Sequence, residues 1–316
     1  MRVKSSATNA SRIAVPGPRE GVGLGTLQAA LGVVAFSLTF PATAWGLEGF
    51  GPWSLVAVRS VLAAVIAGCC LCAVGASRER GRMRWRLELP EARQLPGLAV
   101  VGAGVVLGFP MLTTLALKTS TTAHAAVVVG LLPLTTALLS ALRMGARPSR
   151  AFWAAALAGA AAVLGFTVQQ SGGSLTAADG YLFAALLVCA AGYTEGGRLA
   201  RVMPGWQVIG WALLLCLPLT VPAAALALSY EPVRLTGHGV AGLLWVAVGS
   251  QFLGLVVWYR GMAAIGIPKA SQLQLAQPLL TLVWSVLLLG EHLTAAAPLT
   301  AAAVLVCIAV TQRSRS

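Results

Sequence analysis

Apolar stretches follow one another along almost the whole chain, and short polar segments separate them. A helix that crosses a lipid bilayer needs about 20 mainly apolar residues, and it satisfies its own backbone hydrogen bonds there. The pattern predicts an all-α integral membrane protein with ten transmembrane helices, at about 25–47, 52–74, 96–117, 121–142, 150–169, 179–198, 205–228, 239–259, 266–289 and 294–311.

The composition supports a membrane protein. The chain is 58% hydrophobic and 10% charged, with a mean hydropathy of +0.82, and a soluble protein of 316 residues needs a more charged surface than this. A net charge of +13 in a soluble protein would suggest nucleic acid as a partner. Here the basic residues lie in short loops, so we expect the lipid bilayer and no nucleic acid.

The distribution of basic residues predicts the orientation. If the N-terminus is cytoplasmic, 19 of the 22 lysines and arginines fall in cytoplasmic segments. Lys118 and Arg234 fall in segments on the outer side, and Arg59 lies within a span. Cytoplasmic loops of membrane proteins carry an excess of lysine and arginine. The pattern therefore predicts an even number of spans, both termini in the cytoplasm and a multi-pass protein of the plasma membrane.

Two stretches of the chain resemble each other. Ala116–Ser149 aligns with Gly261–Thr294 at an offset of 145 residues, which pairs Pro133 with Pro278. The offset is close to half the chain and indicates an internal repeat.

The repeat divides the predicted helices into two groups of five. The first repeat covers 25–172 and the second 173–311, between cytoplasmic tails at 1–24 and 312–316. An odd number of spans places the second repeat upside down in the membrane, and inverted repeats of this kind are typical of secondary transporters.

Three motifs give the chain a family resemblance. Arg59 lies in "LVAVRSVLAAVIAG" of the second span, the fourth span reads "TTAHAAVVVGLLPLTTALL", and the ninth ends in "LLLGEHLT" with Gly290 and Glu291. In this order the motifs resemble the drug/metabolite transporter superfamily, and within it the ten-helix EamA-type exporters. The resemblance implies export of amino acids, nucleosides or drugs, and a Glu291 that ties its helix end to a loop. Gly145-Ala146 departs from the Gly-Glu that the family often has in the first half.

The ninth span carries a polar face. Gln274, Gln277, Thr281 and Trp284 recur at spacings of three and four, so they share one side of a helix. Polar groups within a span face a cavity, or they form interhelical hydrogen bonds worth about 0.6 kcal/mol. At the offset of 145, the positions equivalent to both glutamines and to Trp284 are apolar. The extra polarity of the ninth span favours contact with a solute.

Other spans supply further candidates for the lining of a cavity, namely Gln251, Trp258, Tyr259, Thr39, Thr43, Thr113 and Tyr193. Two alternatives compete with this interpretation. Trp258 could anchor its helix at the membrane interface. Thr39 and Thr43 could bond backbone groups that Pro41 leaves free.

A second group of residues is expected to shape or gate the protein. Pro133 and Pro278 bend their helices and free backbone carbonyls near the middle of the membrane. Arg59 could attract a solute carboxylate, although snorkelling or pairing with a carbonyl is the favoured interpretation. Glu195 is expected to pair with Arg198 three residues later.

Signals of catalysis or metal binding are missing from the sequence. It has no His-Glu-x-x-His, no Gly-x-Ser-x-Gly and no phosphate-binding loop, so we expect no enzyme and no cofactor. The six cysteines fall in apolar runs, and no metal site is expected. His124 is expected to be solvated near one membrane face. The sequence therefore indicates no clear site for a coupling ion.

The sequence favours a secondary transporter that exports small polar or amphipathic, amino-acid-like solutes by alternating access. Two other classes are kept as alternatives: a membrane-embedded enzyme that acts on lipid-linked substrates, and a membrane scaffold or sensor that transports nothing. A small-molecule solute is the expected partner, and a second copy of the chain, in a homodimer, is a further candidate.

Overall fold

The computed structural model describes residues 18–79, 82–85, 89–143, 150–170, 175–266, 270, 273–274 and 276–313. The predicted terminal tails, Ser271, Gln272 and the Gly145-Ala146 pair lie wholly or mostly outside these residues. In the described part of the chain the α-helices are α1 (Pro18–Ser37), α2 (Thr39–Gly49), α3 (Pro52–Gly75), α4 (Leu95–Val101), α5 (Phe109–Ala116), α6 (Thr122–Val129), α7 (Leu132–Arg143), α8 (Arg150–Gln170), α9 (Ala177–Leu199), α10 (Gly205–Tyr230), α11 (Gly237–Leu244), α12 (Leu255–Ile265), α13 (Ala276–Leu289) and α14 (Ala296–Arg313).

Two π-helical segments complete the helical part of the chain. Gly102–Gly108 joins α4 to α5, and Trp245–Gly254 joins α11 to α12. A short 3-10 turn, Ala92–Gln94, precedes α4. Each π-helical segment therefore lies inside one continuous long helix, where it widens the helix locally.

Within the described residues, seven helical stretches are long and apolar enough to cross a membrane. They are Gly23–Gly49, Pro52–Ala73, Ala92–Ala116, Thr122–Arg143, Ala177–Leu199, Gly205–Tyr230 and Gly237–Ile265. The other three predicted spans overlap shorter apolar helices, at Leu157–Gln169, Ala276–Leu289 and Ala296–Val306. The structure is that of a helical membrane protein.

One hairpin interrupts the helical pattern. Strands β1 (Ala76–Glu79) and β2 (Arg82–Trp85) pair antiparallel in the basic connection between α3 and α4. The residues of this connection are polar and basic, so the apolar pattern that predicts the helices does not extend into it. The hairpin lies outside the spans and leaves the helical bundle unchanged.

Helix packing follows a reciprocal pattern. Helix α3 packs along α10, α6 along α13, and α8 along α14. Helices α1 and α2 pack on α11, α12 and α13, while α9 packs on α4, α5 and α7. The first predicted span (α1 and α2) thus packs on helices of the second half of the chain, and the sixth span (α9) packs on helices of the first half.

The outer surface of the bundle is apolar. Helix α10, for example, exposes Leu215, Leu219 and Leu226. An apolar outer surface suits a lipid environment, because hydrocarbon chains solvate leucine as well as a protein core does. Polar side chains are instead buried between the helices, where they surround a central space.

Candidate functional site

Two adjoining cavities lie between the helices. The central cavity has a volume of about 30 Å³, and Arg59, Tyr193 and Gln251 are among the residues that line it. The proline cavity has a volume of about 10 Å³, and Pro133 and Pro278 are among its lining residues. Phe40, Leu132 and Gln277 line both cavities, so the two are direct neighbours.

Broken helices build the proline cavity. Helix α6 ends at Val129, and α7 begins at Leu132, just before Pro133. Pro278 lies in the first turn of α13, and an added Cβ on Gly130 would lie 3.2 Å from its ring. The two prolines that the repeat aligns therefore line the same cavity.

The polar face of the ninth span points into this region. Gln274, Gln277 and Thr281 all line the proline cavity. Gln274 is 2% exposed, and its Nε2 has no hydrogen-bond partner among the described residues. A buried donor without a partner costs about 1–3 kcal/mol. An amide kept open at a cavity wall is suited to bind a polar group that enters.

Arg59 does not snorkel to the surface. It is 3% exposed, lines the central cavity, and donates from Nε to Oε1 of Gln251 at 2.6 Å. Gln251 Nε2 donates in turn to Ser60 Oγ at 3.1 Å and to the Val106 carbonyl at 3.4 Å. Of the two forms of the favoured interpretation, snorkelling is wrong, whereas Arg59 does pair with a carbonyl, that of the Gln251 amide.

The π-helical segments contain Gln251, the partner of Arg59, and Val106, whose carbonyl accepts from Gln251. The sequence did not predict the contact between these two residues. Val106 belongs to the first segment and Gln251 to the second. The two positions differ by 145 residues, which is the offset of the repeat. That arithmetic was the one signal in the sequence that could have predicted their contact.

The aromatic residues Trp258 and Tyr259 are not among the lining residues of either cavity. Trp258 is 1% exposed and packs on the rings of Phe36 and Tyr193, with ring centroids 6.0 Å away in each case. Tyr259 is fully buried against Gly196 and Gly205. Both residues therefore form a wall behind Phe36 and Tyr193, and Trp258 is no interface anchor.

Three other predicted lining residues are engaged elsewhere. Thr43 donates to the Thr39 carbonyl and Thr113 to the Phe109 carbonyl, both at 2.7 Å. Trp284 Nε1 donates to Ser37 Oγ at 3.0 Å. None of the three is a lining residue of either cavity, because each bonds a neighbouring carbonyl or hydroxyl.

Thr39 differs from Thr43. Its hydroxyl lies 2.8 Å from that of Ser250, and both residues line the central cavity. The cavity interpretation therefore describes Thr39, whereas Thr43 bonds a backbone carbonyl, that of Thr39, which is not the one that Pro41 leaves free.

Thr281 compensates for Pro41. Proline has no N–H, so Pro41 leaves the Ser37 carbonyl, four residues earlier, without its helical partner. Thr281 Oγ1 donates to that carbonyl at 2.9 Å. The break between α1 and α2 is thus stabilised by α13.

The substitution Thr281→Val is expected to lower the free energy of unfolding by about 1–2 kcal/mol, because it leaves the Ser37 carbonyl unpaired. The midpoint of unfolding in a titration from mild detergent into sodium dodecyl sulfate measures this. Thr135→Val is the matched control, since the Leu131 carbonyl that Thr135 Oγ1 bonds also accepts the Thr135 backbone N–H. Equal midpoints for the two variants would contradict the role of Thr281.

Glutamates close one end of the bundle. We call it the glutamate end, because Glu48, Glu231 and Glu291 lie there. Glu291 accepts from the backbone N–H groups of Thr122 at 2.8 Å and Ala123 at 3.0 Å. Helix N-termini present unpaired N–H groups and a positive partial charge. Glu291 therefore caps α6, whereas the resemblance implied a bond to a loop.

Gly290 makes this cap possible. Its φ is +64°, a left-handed conformation that glycine adopts without strain, and it turns the chain directly after α13. The turn lets Glu291 reach back to α6.

Glu231 caps α3 in the same way, which sequence reasoning missed. It accepts from the backbone N–H of Ser54 at 2.7 Å and of Trp53 at 3.3 Å. The one available signal was a glutamate placed directly after a span, as Glu291 is. Glu231 thus fastens α10 to α3.

His124 and Asp179 form a buried contact near the same end. The two side chains are 6% and 1% exposed, and His124 Nε2 lies 2.8 Å from Asp179 Oδ1. The Phe166 ring stacks on His124 with centroids 5.4 Å apart. The expectation of a solvated His124 is wrong, because the N-termini of α6 and α9 meet there.

Arginines gather at the opposite end, called here the arginine end. Glu195 Oε2 accepts from Arg198 Nε at 2.7 Å, which confirms the predicted pair. Glu195 Oε1 also accepts from Arg143 Nε at 2.9 Å, a contact that the sequence did not predict. This ion pair joins α7 to α9. The described residues hold no group of three or more metal-binding side chains.

Comparison with known proteins identifies the chain as a transporter. The profile of the EamA-like transporter family matches residues 23–168 and again residues 176–312. The chain is 40% identical over 292 residues to "Uncharacterized transporter YdeK" of Bacillus subtilis (strain 168), covering 92% of this chain and 97% of that protein. It is 25% identical over 271 residues to "Probable terminal-alkyne amino-acid exporter" of Streptantibioticus cattleyicolor, covering 83% and 84%.

A solved crystal structure of a protein has the same fold, with a TM-score of 0.62 at 22% sequence identity, and the match covers 90% of this chain and 95% of that one. The two family matches together span most of the chain and agree with the helical bundle and its buried cavity. The chain therefore belongs to the EamA-like transporter family and is a multi-pass membrane transporter, not an enzyme.

Proposed function

We propose that this transporter exports small amphipathic, amino-acid-like solutes across the plasma membrane by alternating access. One observation carries the proposal: buried polar side chains line the region between the helices, and one of them has a donor without a partner. Arg59 and Gln251 are 3% and 2% exposed, and Gln274 Nε2 lacks a partner among the described residues. Such a lining offers polar contacts to a solute between the two sides of the membrane.

The proposal includes ten spans in two inverted five-helix repeats, with both termini cytoplasmic. The two matches to one family profile support it, as does the reciprocal packing of the helices. The contact of Val106 with Gln251 at 3.4 Å adds to this, because residues equivalent under a twofold axis touch only when they lie on the axis. The axis then passes through the central cavity, which is where inverted-repeat transporters bind their substrates.

Contacts at each end supply the two gates. At the glutamate end, the caps from Glu231 and Glu291 and the His124–Asp179 contact each join one repeat to the other. At the arginine end, Arg143 and Glu195 do the same. In alternating access the two sets break in turn, while the repeats rock about the cavity. The positive-inside rule makes the arginine end cytoplasmic.

The lining sets the chemical class of the solute. Phe36, Phe40, Phe109, Leu132 and Leu255 give the central cavity an apolar wall. Binding sites that combine an apolar wall with a few polar groups hold amphipathic ligands in a fixed orientation. The relative named as an amino-acid exporter supports an amino-acid-like solute.

Efflux from preloaded proteoliposomes tests the proposal, with a panel of amino acids and nucleosides as solutes. We expect apolar amino acids to leave, and we expect Gln277→Leu to slow their release about tenfold or more, because the amide loses its contact with the polar end of the solute. Gln207→Leu is the matched control, since Gln207 is a half-buried glutamine in α10 outside both cavities.

Both variants are compared with the wild type in gel filtration and in detergent unfolding, so that loss of fold is recognised. If the Gln277→Leu protein releases solute at the wild-type rate, the Gln277 amide does not contact the solute. If the wild type releases no member of the panel, the proposed function is wrong.

A further inference from the structure

We propose that the transported solute carries a carboxylate, and that this carboxylate pairs with Arg59 in the central cavity. The inference rests on the proposed export function and deepens it, because it assigns the charge of the solute and the residue that recognises it. It begins from the unusual position of Arg59, a buried arginine about two turns inside a membrane helix.

A buried cation requires a counter-charge. Arg59 is 3% exposed and is the eighth of the 24 residues of α3, about two turns from its start, so little water solvates its charge. Burial of an unpaired charge costs several kcal/mol, even after the protein relaxes. Charged groups inside membrane proteins accordingly pair with one another or mark a substrate pathway.

No carboxylate of the described chain supplies that charge. Arg59 forms no ion pair there, and no acidic residue is among those that line the central cavity. The buried Asp179 is held by His124 near one end of the bundle, and Glu195 is held by Arg143 and Arg198 at the other. The protein therefore leaves the charge of Arg59 uncompensated in this closed state.

Gln251 positions Arg59 without neutralising it. Gln251 Nε2 faces the Val106 carbonyl, which only accepts hydrogen bonds, so the amide must point its Oε1 toward Arg59. The bond fixes the guanidinium through Nε. It adds no negative charge, because the amide is neutral.

The remaining donors of Arg59 match a carboxylate. A guanidinium carries five N–H groups in one plane, and Nε uses one of them on Gln251. Neither Nη1 nor Nη2 has a hydrogen-bond partner in the described part of the chain. Two parallel N–H groups at the end of an arginine bind both oxygens of a carboxylate, and such charge-assisted pairs are the stronger kind of hydrogen bond.

The chemistry of the other lining residues matches the remainder of such a solute. The hydroxyls of Thr39 and Ser250 and the amide of Gln277 line the same space and can accept hydrogen bonds from an amino group. Phe36 and Phe109 offer apolar contact to a side chain. The arrangement selects monocarboxylates with an apolar body over the corresponding amines and amides.

The experiment compares each acid with its uncharged carboxyl analogue. Proteoliposomes are loaded with leucine or leucinamide, and with phenylalanine or phenylalaninamide, and release through protein-free vesicles is subtracted. In the wild type we expect each acid to leave at least about tenfold faster than its amide, because the pair with Arg59 forms only with the acid. The ratio of the two rates does not depend on how much folded protein each vesicle contains.

Two variants of Arg59 test the residue itself. In Arg59→Gln the ratio of the release rate of the acid to that of the amide should fall to about one. Arg59→Lys keeps the charge but loses the planar guanidinium, so its ratio should lie between those of the wild type and Arg59→Gln. A ratio in Arg59→Gln that equals the wild-type ratio would overturn the proposal. Arg198→Gln is the control at the arginine end, and its ratio should match the wild type.

Binding is measured in parallel, so that a failure of export remains distinguishable. The unfolding temperature of the purified protein is recorded with each acid, with each amide, and with sodium chloride against sodium gluconate. Stabilisation by the acids alone supports the pairing even if no solute leaves the vesicles, in which case the export function is wrong. If acids and amides act alike, or if chloride stabilises the protein and abolishes the effect of the acids, the carboxylate proposal is overturned.

Discussion

Replacing Asp179 with alanine is expected to lower the free energy of unfolding by about 3 kcal/mol or more, the usual cost of removing one partner from a buried pair. The Asp179 side chain is 1% exposed and makes two kinds of contact. Oδ1 meets His124, and Oδ2 accepts from the backbone N–H and the hydroxyl of Thr176, both at 2.7 Å. The alanine variant thus loses the contact between α6 and α9 and also the cap of α9.

A second histidine–carboxylate contact serves as the control. His238 and Glu48 also meet near the glutamate end, at 3.2 Å, but their side chains are 64% and 48% exposed. Exposed pairs contribute little, so Glu48→Ala should change the free energy by less than about 1 kcal/mol. Unfolding of both variants in sodium dodecyl sulfate measures the difference. A loss for Asp179→Ala as small as that for Glu48→Ala would show that the buried contact does not hold the helices together.

The second large effect is expected for Gly242→Ala. A Cβ at this position would press on the Ala42 carbonyl oxygen and lie 2.5 Å from the Gly46 backbone nitrogen. Backbone atoms cannot rotate aside as a flexible side chain can, so α11 must move away from α2. Overpacking of this kind costs about 1–3 kcal/mol, and close contacts between small residues are a main source of stability for helix pairs in membranes.

Gly165→Ala is the matched substitution in open space. Nothing lies within 4 Å of the Cβ it would add to α8. Because alanine is the better helix former, this change should be neutral or should stabilise the protein by up to about 1 kcal/mol. Relative to the wild type, the unfolding midpoint should therefore fall in Gly242→Ala, whereas in Gly165→Ala it should stay the same or rise. Similar midpoints would mean that α2 and α11 do not pack through their glycines.

The sequence anticipated most of the helices, because the bilayer demands a long apolar stretch for each crossing. The same demand exposed the unusual amides at Gln274 and Gln277, which the structure places at the cavity wall. An offset of 145 residues drew attention to Pro133 and Pro278 before their proximity was known. These inferences worked because they depended on properties of a single helix or on a comparison between two.

Contacts between helices were harder to anticipate. Helical periodicity gives the face on which a residue lies, but it does not give the neighbour that this face meets. Trp258 and Tyr259 lie near Gln251 in the chain, yet they pack behind the cavity instead of lining it. His124 was expected in water for the same reason, since nothing in the sequence places Asp179 beside it.

The caps made by Glu231 and Glu291 have a consequence for genetic analysis. Their partners are peptide N–H groups, which every residue except proline provides. A mutant that lacks either glutamate therefore cannot be rescued by reversing the charge of a partner side chain. A screen for suppressor mutations that introduce a compensating charge should therefore find none for Glu231 or Glu291, even though each glutamate fastens two helices together.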